Sequence, residues 1–328
     1  MLQQDGNLEK EIYLGVLLNA PMARGITTAE VHGFLDAATG MDEFFLNKSL
    51  RPKLPENSVL IGAVGSGKKG IKTINISTLA GLVVASYGAY FAKPVSHSTS
   101  SLTGSSDILE MCGAKLKMPQ HNMVEILQQT RFAAFSIENQ IPRFDAAYGG
   151  KFLAPHALSL AFPALLSPIK LDHLIFGLSV PYVDISSQVL LERGLKNFTV
   201  VCSSPDNTHF MDEFCHLSKN SWVSIKEGQR GKLRTQQTLK RYATKKDTLK
   251  NLSQGQSLAE QKEIFLQVAS GKLPGPYQDM ICVNAAFMMA ESGIVKNLDV
   301  GIEIAETLIK QGAPRDVLND FVKATQEA

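Results

Sequence analysis

What the chain lacks narrows its class first. It has only four cysteines in 328 residues, Cys112, Cys202, Cys215 and Cys282, and none has metal-ligand spacing such as C-x-x-C. They read as buried or free thiols in a reducing compartment rather than as a disulfide framework. No apolar run reaches the ~18 residues a membrane span needs without polar breaks. The opening residues, MLQQDGNLEKEIYL, are polar and hold no apolar signal core, so a cytoplasmic location is the default expectation. Charge of one sign is missing too. A net charge of +2 argues neither for a nucleic-acid protein nor for an acidic one. Internal repeats and low-complexity segments are also absent.

With 44% hydrophobic and 20% charged residues, the chain can bury a full core as one large domain, or as a large domain with a smaller one. Residues 8–50 look helical. Leu8, Ile12, Leu14, Leu17 and Leu18 are read as one apolar face, and Thr27 or Thr28 as a helix cap. The Pro-punctuated stretch Arg51–Asn57 reads as a linker. It divides a small helical domain, residues 1–55, from an α/β domain, residues 56–328, with later helices completing the first. Strand-like runs at Leu174–Val180 and Asn197–Val201 flank a helix-like run from Ile185 to Arg193. That β-α-β order predicts a mostly parallel sheet.

Residues 58–110 carry the chemistry. A β-rich run, Val59-Leu60-Ile61, enters a loop holding Gly62, Gly65, Gly67 and Gly70. Glycines let backbone N–H groups close around an anion. Ser77 or Thr78 suits an N-cap, so a helix from about Leu79 would aim its positive end at that anion. Lys93 adds a full charge, and the loop from Ser96 to Ser106 supplies neutral hydroxyl donors. Each part suits a phosphate. Gly62-x-x-x-x-Gly67-Lys68 also begins a P-loop, but Lys69 stands where Ser or Thr would hold Mg²⁺.

From Gly65, the run Gly-Ser-Gly-Lys-Lys-Gly-Ile-Lys-Thr-Ile-Asn-Ile-Ser-Thr resembles the signature loop of anthranilate phosphoribosyltransferases, Gly-Thr-Gly-Gly-Asp-Gly, four residues, then Asn-x-Ser-Thr. The run from Lys93 to Asp107 matches that family's next motif without a gap, and Gly275-Pro276 through Asn284-Ala-Ala resembles a third. Pyrimidine nucleoside phosphorylases share the expected fold and a similar loop.

The resemblance implies an α/β fold of the nucleoside phosphorylase/phosphoribosyltransferase type. It implies Mg²⁺-dependent transfer of phosphoribose from 5-phosphoribosyl-1-diphosphate to an aromatic amine, as in tryptophan biosynthesis. Gly65, Ser66, Gly67 and Gly70 would shape the diphosphate loop. Asn75, Ser77, Thr78 and Lys93 would bind phosphate, and Ser100, Ser101 and Ser105 would line the hydroxyl loop. Ser77, Asp212 and Glu213 would hold Mg²⁺, whose hard charge suits oxygen ligands. The helical domain would form a homodimer, in a mode left open because the family's opening helices have no counterpart here.

Departures fall mainly on the acceptor side. Lys68-Lys69 replaces Gly-Asp, and Pro94-Val95-Ser96 replaces His-Gly-Asn. No arginine lies between Arg143 and Arg193, where the family draws one for the acceptor carboxylate. His156 lies in that region but cannot make the same bidentate fork. These changes lead us to expect weak or no turnover of anthranilate. A phosphorylase taking inorganic phosphate is one alternative. A non-catalytic binder of nucleic acid or another polyanion is the other, suggested by eight basic residues against one acid between Arg230 and Lys250.

Overall fold

The computed structural model describes residues 8–42, 50–68, 70–98, 101–149, 151–237, 239–242, 249–252 and 257–328. Helices α1 (Leu8–Arg24) and α2 (Thr28–Thr39) precede strand β1 (Leu60–Gly65), helix α3 (Ile76–Tyr87), strand β2 (Tyr90–Val95), helices α4 (Ser105–Met111) and α5 (Gln120–Thr130), and strand β3 (Phe132–Ser136). Short helices α6 (Ile137–Gln140), α7 (Pro142–Tyr148) and α8 (Phe162–Leu165) lead to β4 (His173–Gly177), α9 (Val183–Glu192) and β5 (Phe198–Ser204). Strands β6 (Lys219–Lys226), β7 (Gln229–Arg230) and β8 (Arg234–Gln236) follow, then helices α10 (Leu258–Ala269), α11 (Pro276–Glu291), α12 (Leu298–Lys310) and α13 (Ala313–Glu327).

The sheet order is β3-β2-β1-β4-β5-β6-β7, with β8 paired to β6. Strands β1 to β5 pair in parallel, and β6 runs antiparallel to β5. Side chains alternate across the sheet, so neighbouring residues enter different cores. Ile175 and Val201 pack with α3, α11 and α13, while Leu174, Phe176 and Val200 pack with α1, α2 and α9. Helix α3 is buried on nearly all sides, which explains its continuous apolar run.

Two local readings change. Helix α3 begins at Ile76 with Asn75 as N-cap, so Ser77 and Thr78 lie within its first turn rather than capping it. The apolar residues of α1 split into two faces. Leu14 and Leu18 are buried, whereas Leu8, Ile12 and Leu17 face outward. Residues 14 and 18 are a full turn apart, and 17 lies about 100° away from 18. Thr27 caps α2 through a capping box with Glu30, as the sequence indicates. The bend Ser203–Met211 after β5 delivers Asp212 and Glu213 to the carboxyl ends of the parallel strands.

Candidate functional site

Two clefts meet at the carboxyl end of β1. The first, of about 170 Å³, is polar. Its walls include Gly65, Gly67, Asn75, Ser77, Thr78, Lys93, Ser101, Ser105, Asp212 and Glu213. Sequence-distant parts therefore converge as expected.

Each wall has a physical reason. A Cβ at Gly65 would overlap the Asp212 carboxylate, so glycine admits that acid to the end of β1. The Gly67 amide then donates to Asp212 Oδ2 at 2.9 Å, joining the glycine loop to the acid pair. Lys93 is buried on β2, and its Nζ donates to Ser77 Oγ at 2.8 Å and to the Ala63 carbonyl at 3.3 Å. The Thr78 hydroxyl is buried against the cleft with no hydrogen-bond partner among the described residues. The hydroxyl loop is tied back to α3, where Thr103 donates to Asn75 Oδ1 at 3.0 Å. Ser105 Oγ accepts the Ser96 amide at 3.2 Å.

Asp107 anchors the same loop by accepting the amides of Ser98 and Gly104 and bonding His97. That hydrogen bond raises the pKa of His97 above its usual value, against partial burial. Asn284 on α11 braces the acid pair from behind. It accepts the Phe214 amide at 3.1 Å and donates to the Phe214 carbonyl at 2.8 Å.

Three of the expected loop and acceptor residues serve elsewhere, and His156, described below, is a fourth. Gly70 turns its amide to the Phe210 carbonyl at 3.1 Å and packs beside His209 rather than entering the polar cleft. Ser66 is a structural peg. Its amide donates to Gly177 and its hydroxyl accepts the Ser179 amide at 2.9 Å, although it also touches the second cleft. Val95 points into the core because strand side chains alternate, while Pro94 and Ser96 line the polar cleft. Ser100 and Lys69 lie outside the described residues.

The second cleft, of about 160 Å³, is aromatic, lined by Phe144, Tyr148, Phe152 and Phe162 together with Glu138 and Asp145. It shares Gly65, Gly67, Lys68, Ser96 and Ile137 with the polar one. His156 does not line it. The imidazole is fully buried behind Tyr148 and bonds the phenol oxygen. Burial, helped by the charge of Lys68, lowers the His156 pKa to about 3, so the ring is neutral at any working pH. Lys68 donates to the same phenol at 2.9 Å. Sequence reasoning placed Lys68 in the loop but did not find Tyr148. Phe144 and Tyr148, four apart, were the available signal for one helical face.

Three arginines of the basic segment after β6 are paired with acids. Arg230 pairs with Asp184, Arg234 with Glu291 at 3.4 Å and Arg241 with Glu306 at 2.5 Å. Residues 243–248 lie outside the described residues. No helix among the described residues is long and apolar enough to cross a membrane.

Comparison with known proteins agrees with this architecture. A curated anthranilate phosphoribosyltransferase from Xylella fastidiosa (strain 9a5c) is 28% identical over 319 residues, covering 96% of this chain and 88% of that protein. One from Polynucleobacter necessarius subsp. necessarius (strain STIR1) is 28% identical over 327 residues, covering 99% and 91%. Among solved structures, the anthranilate phosphoribosyltransferase of Thermus thermophilus superposes with a TM-score of 0.75 at 23% identity, covering 93% of this chain and 87% of that one. The Saccharomyces cerevisiae enzyme in complex with PRPP and Mg gives 0.77 at 20% identity, covering 100% and 90%. The model of the glycosyl transferase family, a/b domain, matches residues 57–315, and the chain belongs to that family.

Proposed function

We propose that this glycosyltransferase moves phosphoribose from 5-phosphoribosyl-1-diphosphate to an aromatic amine, with Mg²⁺ on the donor. The observation that carries this reading is the shared wall between a polar, phosphate-suited cleft and an aromatic one. Curated relatives named for anthranilate phosphoribosyl transfer, and a structural neighbour holding PRPP and Mg, support it.

The residues divide the work. The first-turn amides of α3, the Thr78 hydroxyl and the Lys93 ammonium hold phosphate oxygens. Ser101 and Ser105 line the hydroxyl side, and Ser100 is assigned there by sequence. Ser77, Asp212 and Glu213 offer the neutral and anionic oxygens that suit Mg²⁺, and all three line one cleft. When bound, the ion would offset charge on the diphosphate leaving group. The aromatic cleft would hold the acceptor ring with its amine toward the sugar, supplying orientation rather than a covalent nucleophile. The paired arginines after β6 leave less basic surface for a polyanion, which disfavours the nucleic-acid reading.

The outer face of α1, with Leu8, Ile12, Tyr13, Val16 and Leu17 exposed, supports a homodimer. Residues 1–55 together with helices α6 to α8 would form the helical domain carrying that face. Val16→Lys is expected to shift a dimer to monomer in sedimentation. Calorimetric titration with 5-phosphoribosyl-1-diphosphate, with and without Mg²⁺, tests the donor reading. Mg²⁺-dependent binding is expected, and its absence would overturn the proposal. Turnover with anthranilate then decides whether that amine is the acceptor.

A further inference from the structure

The aromatic cleft carries a cation, Lys68, on the glycine loop after β1. Lys68 follows the glycine loop with φ +57°, in the left-handed region that a side-chain-bearing residue rarely occupies. Such a conformation costs backbone energy and recurs at functional sites. Its side chain runs to the wall between the clefts, where Nζ lies 5.1 Å from the centroid of the Tyr148 ring and donates to its oxygen at 2.9 Å. No carboxylate among the described residues pairs with this ammonium.

The tautomer of His156 sets what Tyr148 can do. Nδ1 of the imidazole is buried with no hydrogen-bond partner, and Nε2 meets the phenol oxygen. Placing the proton on Nδ1 would bury an orphaned N–H. With the proton on Nε2, only a bare lone pair is buried, the less costly arrangement. The Tyr148 oxygen then accepts from both His156 and Lys68. Its own O–H is then left to donate to a ligand in the cleft that Tyr148 lines.

Resting on the phosphoribosyl-transfer reading, we infer that Lys68 and Tyr148, oriented by His156, form the anchor for a carboxylate carried by the aromatic acceptor. The remaining ammonium protons and the phenol proton are donors on one wall, and the aromatic side chains take the ring. The carboxylate would be held by two separate donors, one of them positioned by an imidazole. The anchor thereby spans the loop between β1 and α3 and the end of α7.

Desolvation lowers the Lys68 pKa to about 8, so the anchor is charged below that pH and neutral above it. Glu138 and Asp145 face the same cleft, and burial raises the Asp145 pKa. On the polar side lie His97, Lys72, Lys93, Asp212 and Glu213. All of these remain in a Lys68→Met variant, which therefore isolates the contribution of Lys68.

The test compares binding of anthranilate and benzoate with their neutral carboxamides, by calorimetry on the full chain without donor. The carboxylates should bind roughly tenfold or more tightly than the amides at pH 7, the range of a charge-assisted hydrogen bond. Their affinity should fall by about tenfold from pH 7 to pH 9, while amide binding stays level. Lys68→Met and Tyr148→Phe should each erase most of the preference, and Lys68→Met should flatten the pH profile. His156→Gln, which keeps a donor to the phenol, should retain the preference that His156→Leu loses. Donor titration with Mg²⁺ is run on the same proteins, and Tyr148→Phe should leave it within about twofold. No carboxylate preference in the parent protein, including no binding of either series, overturns the anchor. So does a Lys68→Met variant that weakens only the donor. Failure of donor binding with the preference intact would overturn the transfer reading and leave the anchor standing.

Discussion

Replacing Asn284 by leucine should loosen the acid pair without touching it. Asn284 is almost fully buried on α11 and spans 70 residues of sequence to hold Phe214 by both its amide and its carbonyl. Phe214 is itself buried, so no water can substitute. Leucine would leave one N–H and one C=O unpaired in the interior, each costing ~1–3 kcal/mol. Burying an apolar side chain there returns part of that, leaving a net loss of ~2–4 kcal/mol. The next residues back along the chain are Glu213 and Asp212, and Asp212 accepts the Gly67 amide. Their positions should spread, so Mg²⁺-dependent donor affinity should fall further than stability alone explains. Trp222, the sole tryptophan, has its ring centroid 5.7 Å from that of Phe214, and so reports unfolding beside the clamp. Urea titration followed by Trp222 fluorescence, with donor calorimetry on the folded variant, measures both effects. A variant that keeps the parent midpoint and donor affinity would refute the clamp.

Other substitutions probe separate links. Lys93→Met removes the buried charge beside Ser77, and Mg²⁺-dependent donor affinity should drop by roughly tenfold or more; an unchanged titration would remove Lys93 from the phosphate site. Gly81→Ala pushes a methyl into the Phe91 ring, where an overpacking cost of ~1–3 kcal/mol should exceed the ~1 kcal/mol gained in helix propensity. Its thermal midpoint should therefore fall, and a rise would contradict the packing. Leu18→Ala should cost ~2–5 kcal/mol, while the exposed Val16→Ala should stay within ~0.5 kcal/mol under monomeric conditions. The raised His97 pKa gives a pH signature. The pair with Asp107 contributes fully below the ordinary value of 6.5 and is lost as pH rises through the raised one. Thermal midpoints taken across that interval should fall in the parent relative to His97→Gln; parallel curves would refute it.

Much of the lining of the polar cleft was legible because its information is local. Glycine spacing, the Asn-x-Ser-Thr run and the clustered hydroxyls act through backbone conformation and hydrogen bonds to near neighbours. The β-α-β order is similarly written in short apolar runs and turns. Asp212 and Glu213 needed the family's order as well as their own chemistry, since two adjacent acids usually mark a solvated loop. Errors arose where neighbours at a distance decide. Leu17 and Leu18 are equally apolar, but only packing against the helices after β3 separates buried from exposed. Val95 and Ser96 are adjacent, and the strand's pleat sends one inward and the other to the cleft.

Amino-acid order alone determined the glycine-rich loop after β1, the serine-rich segment after Lys93 and the mostly parallel α/β class, but not the residue at which α3 begins. These depend on dihedral preferences, caps and periodicity within a few residues of chain. Tertiary structure decided that Ser66 would be spent on Ser179, that Asn284 would brace Phe214, and that Lys68 would meet Tyr148 backed by His156. Those meetings join residues 8 to 113 positions apart, and no local preference encodes them. They exist because burying two apolar faces of one sheet leaves the chain few paths, and those paths bring the loops together at its carboxyl edge.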